Sequence, residues 1–599
     1  MRRVKPPDVS RRIGFISSYP SYLNDSFQTF KASRIMKTSI NLTKLLRVLL
    51  FIALLVACRL SSTPAYSDEP PKFVDLSLLI AAEYPCTWPQ LVPPFRIDHV
   101  QTIGRQSAYN VDTLSTDGNM GTQMDVPPHS VLRPELNLPK SGPFGNEFID
   151  KVPAWKFVGS ACVVDLRNLL DTGPAGISSL VRRRHFEDWE REHGSLRFGD
   201  VVLMRSGYSD KYYLPLPAGL RYAALPLERK APGWPDPDPD AMEFLASRKV
   251  FHIGTDSPSM GPIPDLAEPT HYAALKYGAV FTEAATNLAS LPTTGAFYCM
   301  MGPKHKDGPY GEGRAFAIIG NPLASQLIES AREKRVVDLT VTLSTDHPTT
   351  WPGQGIGNYR HPYTKAEFLY LHSHIMDSQA GTHLVPPSYA LPPEDFDPYG
   401  YSPQTHIWLD EFEEKFGPRG ISDMTTEKVP ISQTCGWARV IDVRQLSGTT
   451  SRAAWPASPE ITVDVIKKYE AEQGSLEAGE IVIFYTGHTD RHFQRMPAGK
   501  SCLIDPVNGE SEGWPALGPS ATVYLAQRGI QCVATDAPNL GGVNPKNALM
   551  TYWALGSQGM VGVEFLIGVG QLPEQSYFLF APVKIRGCHG GPGRAIALY

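Results

Sequence analysis

The feature that most constrains this chain is that it repeats itself. Val74-Asp75-Leu76-Ser77 returns as Val337-Asp338-Leu339-Thr340, followed at matching spacing by Pro85/Pro348 and by Trp88-Pro89/Trp351-Pro352. Val163-Val164-Asp165-Leu166 matches Val440-Ile441-Asp442-Val443, and Gly199-Asp200-Val201-Val202 matches Gly479-Glu480-Ile481-Val482. Gly233-Trp234-Pro235, Thr255-Asp256-Ser257-Pro258 and Gly313-Arg314-Ala315 return as Gly513-Trp514-Pro515, Thr535-Asp536-Ala537-Pro538 and Gly593-Arg594-Ala595. Matches kept in one order define two copies of one unit. Copy one is expected over residues 68–320 and copy two over 335–599, each of ordinary domain length. Between them, 321–334 carries Leu323, Leu327, Ile328 and Ala331 and reads as a connecting helix.

Within each copy, short β-rich runs alternate with helical patterns, which argues a mixed α/β domain. Val201 to Met204 reads as a buried strand. Ala241 to Arg248 reads as an amphipathic helix leading into a strand over Val250 to Gly254. Pro269 is placed to open a helix and Gly278 to close it, which puts His271 in a first helical turn.

The net charge of −5 over 599 residues gives no electrostatic case for a nucleic-acid partner. The 8 cysteines form no CxxC pair, which removes zinc ribbons and thioredoxin-type motifs. Cys162 and Cys532 lie in apolar runs and read as small core residues. No GxSxG nucleophile elbow and no HExxH is found, which disfavours serine hydrolases and zincins. Gly353-Gln354-Gly355-Ile356-Gly357 lacks the strand–helix context of a dinucleotide fingerprint and reads as a loop. Leu369-Tyr370-Leu371 reads as core.

Residues 1–67 read as an extension with a signal peptide. Lys37, Lys44 and Arg47 precede the apolar run Val48 to Ala57, too short to span a bilayer comfortably, and Ala65-Tyr66-Ser67 is a candidate cleavage site. Leu55-Val56-Ala57-Cys58 also reads as a lipobox, which would anchor Cys58 to lipid, and a retained membrane anchor is a third reading. Met36 is an alternative start. An exported protein, periplasmic or secreted, is the expectation.

The segment that carries chemistry is Asn119-Met120-Gly121-Thr122-Gln123-Met124-Asp125-Val126-Pro127-Pro128-His129. It is a Gly-Thr turn, then a carboxylate and an imidazole four residues apart in a proline-stiffened loop. Downstream, His271 and Glu283 are twelve apart. Asp125, His129, His271 and Glu283 together suit Zn²⁺, Mn²⁺ or Fe²⁺. Singly, each has a blander reading: a turn carboxylate, or a satisfied polar group in a helix.

The segment resembles the signature H-x-G-T-H-x-D-x-P-x-H of the metal-dependent cyclase and kynurenine-formamidase family, almost end to end in each copy. The resemblance implies a swivelling β/β/α fold, a pseudo-dimer of the two copies, and hydrolysis of an amide or cyclic amide or ester, as in N-formylkynurenine or isatin. It implies one divalent metal, Zn²⁺ or Mn²⁺, held in copy one by Asp125, His129, His271 and Glu283. His129 and Glu283 would also serve catalysis. The family's pockets borrow aromatic residues from the neighbouring subunit, which makes Trp88 and Trp351 candidate walls.

The sequence departs from that pattern. Asn119 and Gln123 replace the first two signature histidines, leaving amide oxygens as weaker donors. In copy two, Val385 stands at the aspartate, Gln379 and Tyr389 at the outer histidines, and Tyr552 at the later histidine; His383 and Glu564 survive. Two ligands rarely hold a metal, so copy two is expected to be a structural or binding half. The competing expectation for the whole chain is a non-catalytic exported binding protein on the same fold. Further homo-oligomerisation is left open.

Overall fold

The computed structural model describes residues 70–599 apart from 90–93, 353–358, 367–368 and 398. The signal peptide, Cys58 and the loop Gly353 to Gly357 therefore lie outside the described residues. No helix among those described is long and apolar enough to cross a membrane. The seven described cysteines are all free and buried, with Cys162 and Cys532 in apolar cores.

Each copy centres on four parallel strands. In copy one these are Val158–Asp165, Asp200–Arg205, His252–Thr255 and Val280–Glu283. In copy two they are Cys435–Asp442, Ile481–Tyr485, Cys532–Thr535 and Val561–Glu564. Their near-continuous apolar runs follow from burial on both faces, the usual setting of parallel strands. Alternation then sorts the residues: Cys162 and Val164 pack under the helices Arg183–His193 and Pro239–Ser247, while Ala161 and Val163 face the opposite core. Antiparallel strands complete a mixed α/β sheet of nine strands in copy one and eight in copy two.

The two copies share one compact unit, Ser67–Tyr599. Helix Leu323–Arg332 buries Ala324, Leu327, Ile328 and Ala331, a stripe at helical spacing, against a core made by both copies. That core joins Phe297, Cys299 and Ile318 to Tyr577, Leu579 and Ile596. A separate four-stranded sheet is shared, one hairpin from each copy joined edge to edge. Tyr359–Ala366 and Leu369–Asp377 come from copy two, and Val111–Asp117 and Arg96–Gln101 from copy one, with Ser373 opposite Asp117. The run Leu369-Tyr370-Leu371 lies on this sheet, but its side chains lie outside the described residues. Contacts across the seam are reciprocal. Ile80 bridges Ile585 and its counterpart Leu343 bridges His305; Lys584 pairs with Asp75 at 2.7 Å and Lys304 with Asp338 at 3.1 Å.

Candidate metal centre

Strand Gln123–Asp125 carries the core of the site. It pairs with Val280–Glu283, Gln123 opposite Glu283, and with Tyr310–Glu312 on its other edge. Side chains two apart share a face, so Gln123, Asp125 and Glu283 point the same way. The Gly-Thr turn before the strand needs its glycine. Gly121 has φ +56°, and a Cβ there would lie 2.7 Å from Ile80 Cγ1. Thr122 Oγ1 then ties the turn down, donating to Ala284 O at 2.7 Å and accepting from Leu78 N at 2.9 Å.

His129 sits in the short 3₁₀ turn Pro127–His129, where the prolines fix its approach. His271 comes from helix Ala267–Leu275. That helix starts two residues before Pro269, so His271 lies in its second turn rather than its first. A proline in the first turn removes an N–H that has no intrahelical partner anyway.

The four residues proposed from sequence converge. The donor atoms of Asp125, His129 and His271 lie within 4.8 Å of one another. Asp125 Oδ2 is 3.4 Å from His271 Nε2 and 3.7 Å from His129 Nε2, and His271 Nε2 is 3.3 Å from Glu283 Oε1. His271 Nδ1 is 2.7 Å from Ala267 O; donating there leaves Nε2 with a lone pair facing the carboxylates. Burial, with His271 alongside, pushes the His129 imidazole down to about 3, so it is neutral and available as a ligand at neutral pH. Burial and the nearby Asp125 raise the Glu283 carboxyl. Burial works to lower the His271 imidazole, but hydrogen bonding and charge from Asp125 and Glu283 outweigh it and raise it well above its usual value.

These residues fit a divalent cation. Asp125 is wholly buried, and neither of its oxygens receives a hydrogen bond of normal geometry. An unpaired buried carboxylate is costly without compensating positive charge. Two imidazoles and two carboxylates are a borderline-to-hard donor set suited to Zn²⁺ or Mn²⁺.

Three contributors depart from the sequence reading, which offered the Gln123 amide oxygen as a weak donor and gave the other two no role. Gln123 turns its amide nitrogen inward, donating to Glu283 Oε2 at 2.8 Å and to Asn119 Oδ1 at 2.9 Å. The Asn119 oxygen is thus engaged, and Gln123 steadies a carboxylate. The backbone N–H of Met260 donates to Glu283 Oε1 at 2.5 Å. It follows the repeated Thr255-Asp256 motif, where Asp256 accepts from the backbone of Ser206 at 2.9 Å and Gly207 at 2.6 Å. That motif was visible in the sequence, and its role is to pin this turn. Glu312, opposite Gln123, is wholly buried with neither oxygen hydrogen-bonded, and His305 Nε2 lies 3.5 Å from its Oε1. No spacing signal marked it.

Copy two repeats the backbone and loses the ligands. Gly381 has φ +61°, Thr382 donates to Phe565 O at 2.7 Å, and His383 lies opposite Glu564. Glu564 accepts from Tyr552 Oη at 2.6 Å and from Leu540 N at 2.7 Å, with His383 Nε2 3.2 Å away. Beside it is a cavity of about 380 Å³ walled by Trp351, Tyr389 and Tyr552, and by Tyr109 of copy one. Tyr109 stacks on Tyr389 with ring centroids 4.8 Å apart. The borrowed aromatic is therefore Tyr109. Trp88 and Trp351 each pack edge-on against a tryptophan of their own copy, Trp234 and Trp514.

The Cyclase family model matches twice, at residues 74–262 and 337–541, about two thirds of the chain. His271 and Glu283 lie beyond the first match, so their inclusion rests on the geometry above. A curated relative, isatin hydrolase of Roseibium aggregatum, is 30% identical over 185 residues, which are 30% of this chain and 64% of that protein. The chain thus spans less than two thirds of that relative's length. Among solved structures, isatin hydrolase A from Labrenzia aggregata bound to benzyl benzoate is 24% identical over 42% of this chain and 94% of that one, with a TM-score of 0.35. Isatin hydrolase A from Ralstonia solanacearum is 20% identical over 48% of this chain and 100% of that one, with a TM-score of 0.34. With its model matched in both halves, the chain belongs to the Cyclase family.

Proposed function

We propose that the chain is a metal-dependent hydrolase of an amide or cyclic amide or ester, with one divalent metal in copy one. The observation that carries this is the wholly buried Asp125 carboxylate, set between two imidazoles and without a hydrogen bond of normal geometry. Asp125, His129, His271 and Glu283 would hold the ion. A divalent ion held there supplies a lowered water pKa and polarises a carbonyl. His271, oriented by Ala267 O, keeps its Nε2 toward the ion, and Gln123 and the Met260 N–H fix the Glu283 rotamer. His129, neutral and with Nδ1 lacking a hydrogen-bond partner, is placed to take or return a proton. The name of the curated relative makes isatin the first substrate to try.

The reciprocal seam contacts support an intramolecular pseudo-dimer, in which each half occupies the place a second subunit would take. Export to the periplasm or beyond is proposed on the N-terminal segment alone. A second reading, a non-catalytic binding protein, is favoured by the aromatic cavity of copy two, where His383 and Glu564 join no cluster of three metal donors among the described residues. Elemental analysis of the purified chain beside Asp125→Ala and Glu283→Ala, with turnover of isatin and an amide and lactone panel, separates the two. A metal and an activity lost together in both variants support the hydrolase. Metal content and activity unchanged by either variant would remove copy one as the active centre.

A further inference from the structure

A second group of donors lies at the seam between the copies, outside the Asp125 cluster. His99 and Asp112 are register partners on the hairpin of strands Arg96–Gln101 and Val111–Asp117. Copy two brings His589 to them from the turn before its last strand, Gly591–Leu598. The donor atoms of all three lie within 4.8 Å of one another. His99 Nδ1 is 2.6 Å and His589 Nδ1 3.1 Å from the same oxygen, Asp112 Oδ1. The His589 backbone N–H donates to the other oxygen at 2.6 Å, which holds the carboxylate in place.

The Asp112 side chain is wholly buried, and its ion pairs among the described residues are with these two imidazoles, with no lysine or arginine. The two rings approach at 70° to one another with centroids 5.5 Å apart, so they present their nitrogens from different directions rather than stacking. Two nitrogens and one carboxylate oxygen, with a fourth position open to water, match the ligand number of non-structural zinc sites.

The position is reachable. The His99 side chain is 47% and that of His589 18% exposed. Both line a cavity of about 780 Å³ with Asp395, Asp397, Asp423 and Glu427. Of its two cations, Lys428 pairs with the lining Asp423 at 2.7 Å and Arg586 with Glu83, which leaves Asp395, Asp397 and Glu427 as its acids. An acidic approach concentrates cations near the site.

We propose that His99, Asp112 and His589 form a second divalent-metal site of the Zn²⁺ class, completed by water and joining the two copies. It does not depend on the copy-one reading, because it shares no residue with that cluster.

The test uses the full chain stripped with a chelator and titrated with Zn²⁺ calorimetrically, with Co²⁺ absorption as a spectroscopic readout of ligand geometry. The wild type is expected to take an ion that Asp125→Ala still binds. His99→Ala, a substitution at a half-exposed position that leaves the core intact, should weaken that ion at least about 10-fold, and His589→Ala likewise. Zn²⁺ should raise the melting temperature of Asp125→Ala, and that rise should vanish in Asp125→Ala/His99→Ala. Wild-type Zn²⁺ binding in both histidine variants would overturn the proposal. If the ion lost with His99→Ala were the only ion bound, with none lost in Asp125→Ala, the seam site would stand and the copy-one reading would fail.

Discussion

The two copies hold the same backbone device and opposite chemistry. In both, a Gly-Thr turn at positive φ lies before a three-residue strand, and that strand is paired with the one that carries the glutamate. In copy one the neighbours of that glutamate are Asp125 and His271. In copy two they are Val385 and Tyr552, and the Tyr552 hydroxyl donates to Glu564 where copy one presents imidazole and a second carboxylate. Copy two has thus removed one buried charge and hydrogen-bonded the other. The lesson is that the turn, the strand register and the threonine clamp belong to the fold, and the proposed metal site is a set of side chains placed on it.

Four substitutions sharpen or break this comparison. Asp125→Ala should abolish metal binding in copy one and lower kcat/KM by at least about 10⁴-fold, about 5 kcal/mol of transition-state stabilisation. Glu564→Ala should leave metal content and turnover unchanged; an equal loss in both variants would end the distinction between the halves. Val385→Asp places a carboxylate in copy two without the imidazoles that face Asp125. It should destabilise the metal-free protein by about 3 kcal/mol in denaturant titration, because the charge is buried and unpaired. Tyr552→Phe removes a 2.6 Å hydrogen bond to a buried carboxylate and should cost about 2 kcal/mol, with metal content unaffected.

The smallest effect concerns Asp117, on the inter-copy sheet. Burial, assisted by Glu312, pushes its carboxyl up to about 7. Its folded-state pKa lies above its unfolded value, so the folded chain binds the extra proton between them. Stability should therefore fall as pH rises from about 4 through 7. Between pH 7 and 6, metal-free Asp117→Asn should gain about 1 kcal/mol less than wild type. An unchanged slope would show that Asp117 does not titrate in this window. Its counterpart Asp377, raised to about 6 by burial, gives the same experiment in copy two.

The architecture was legible because repeats and buried parallel strands leave linear patterns. The connecting helix shows its stripe in Leu327, Ile328 and Ala331, and the central strands show apolar runs. The four clustered residues were legible through motif spacing. Four features were not: the Met260 N–H, the inward amide of Gln123, the buried Glu312 and the cross-copy reach of Tyr109. The first is a backbone group and carries no residue signal. The next two depend on which face of a strand a neighbour presents. The last depends on how two distant hairpins meet, which spacing along one chain does not encode. The helix around His271 was misread by two residues because proline is tolerated anywhere in a first turn, not at its first position alone.

The helix Leu323–Arg332, which joins the halves, has a consequence for heredity. In an assembly of two identical subunits, any change in the gene appears at both sites at once. A substitution that improved one site for binding would also damage the other's chemistry. Joining the halves in a single polypeptide removes that constraint. Val385 and Tyr552 can exist beside Asp125 and His271, and every molecule carries one of each kind.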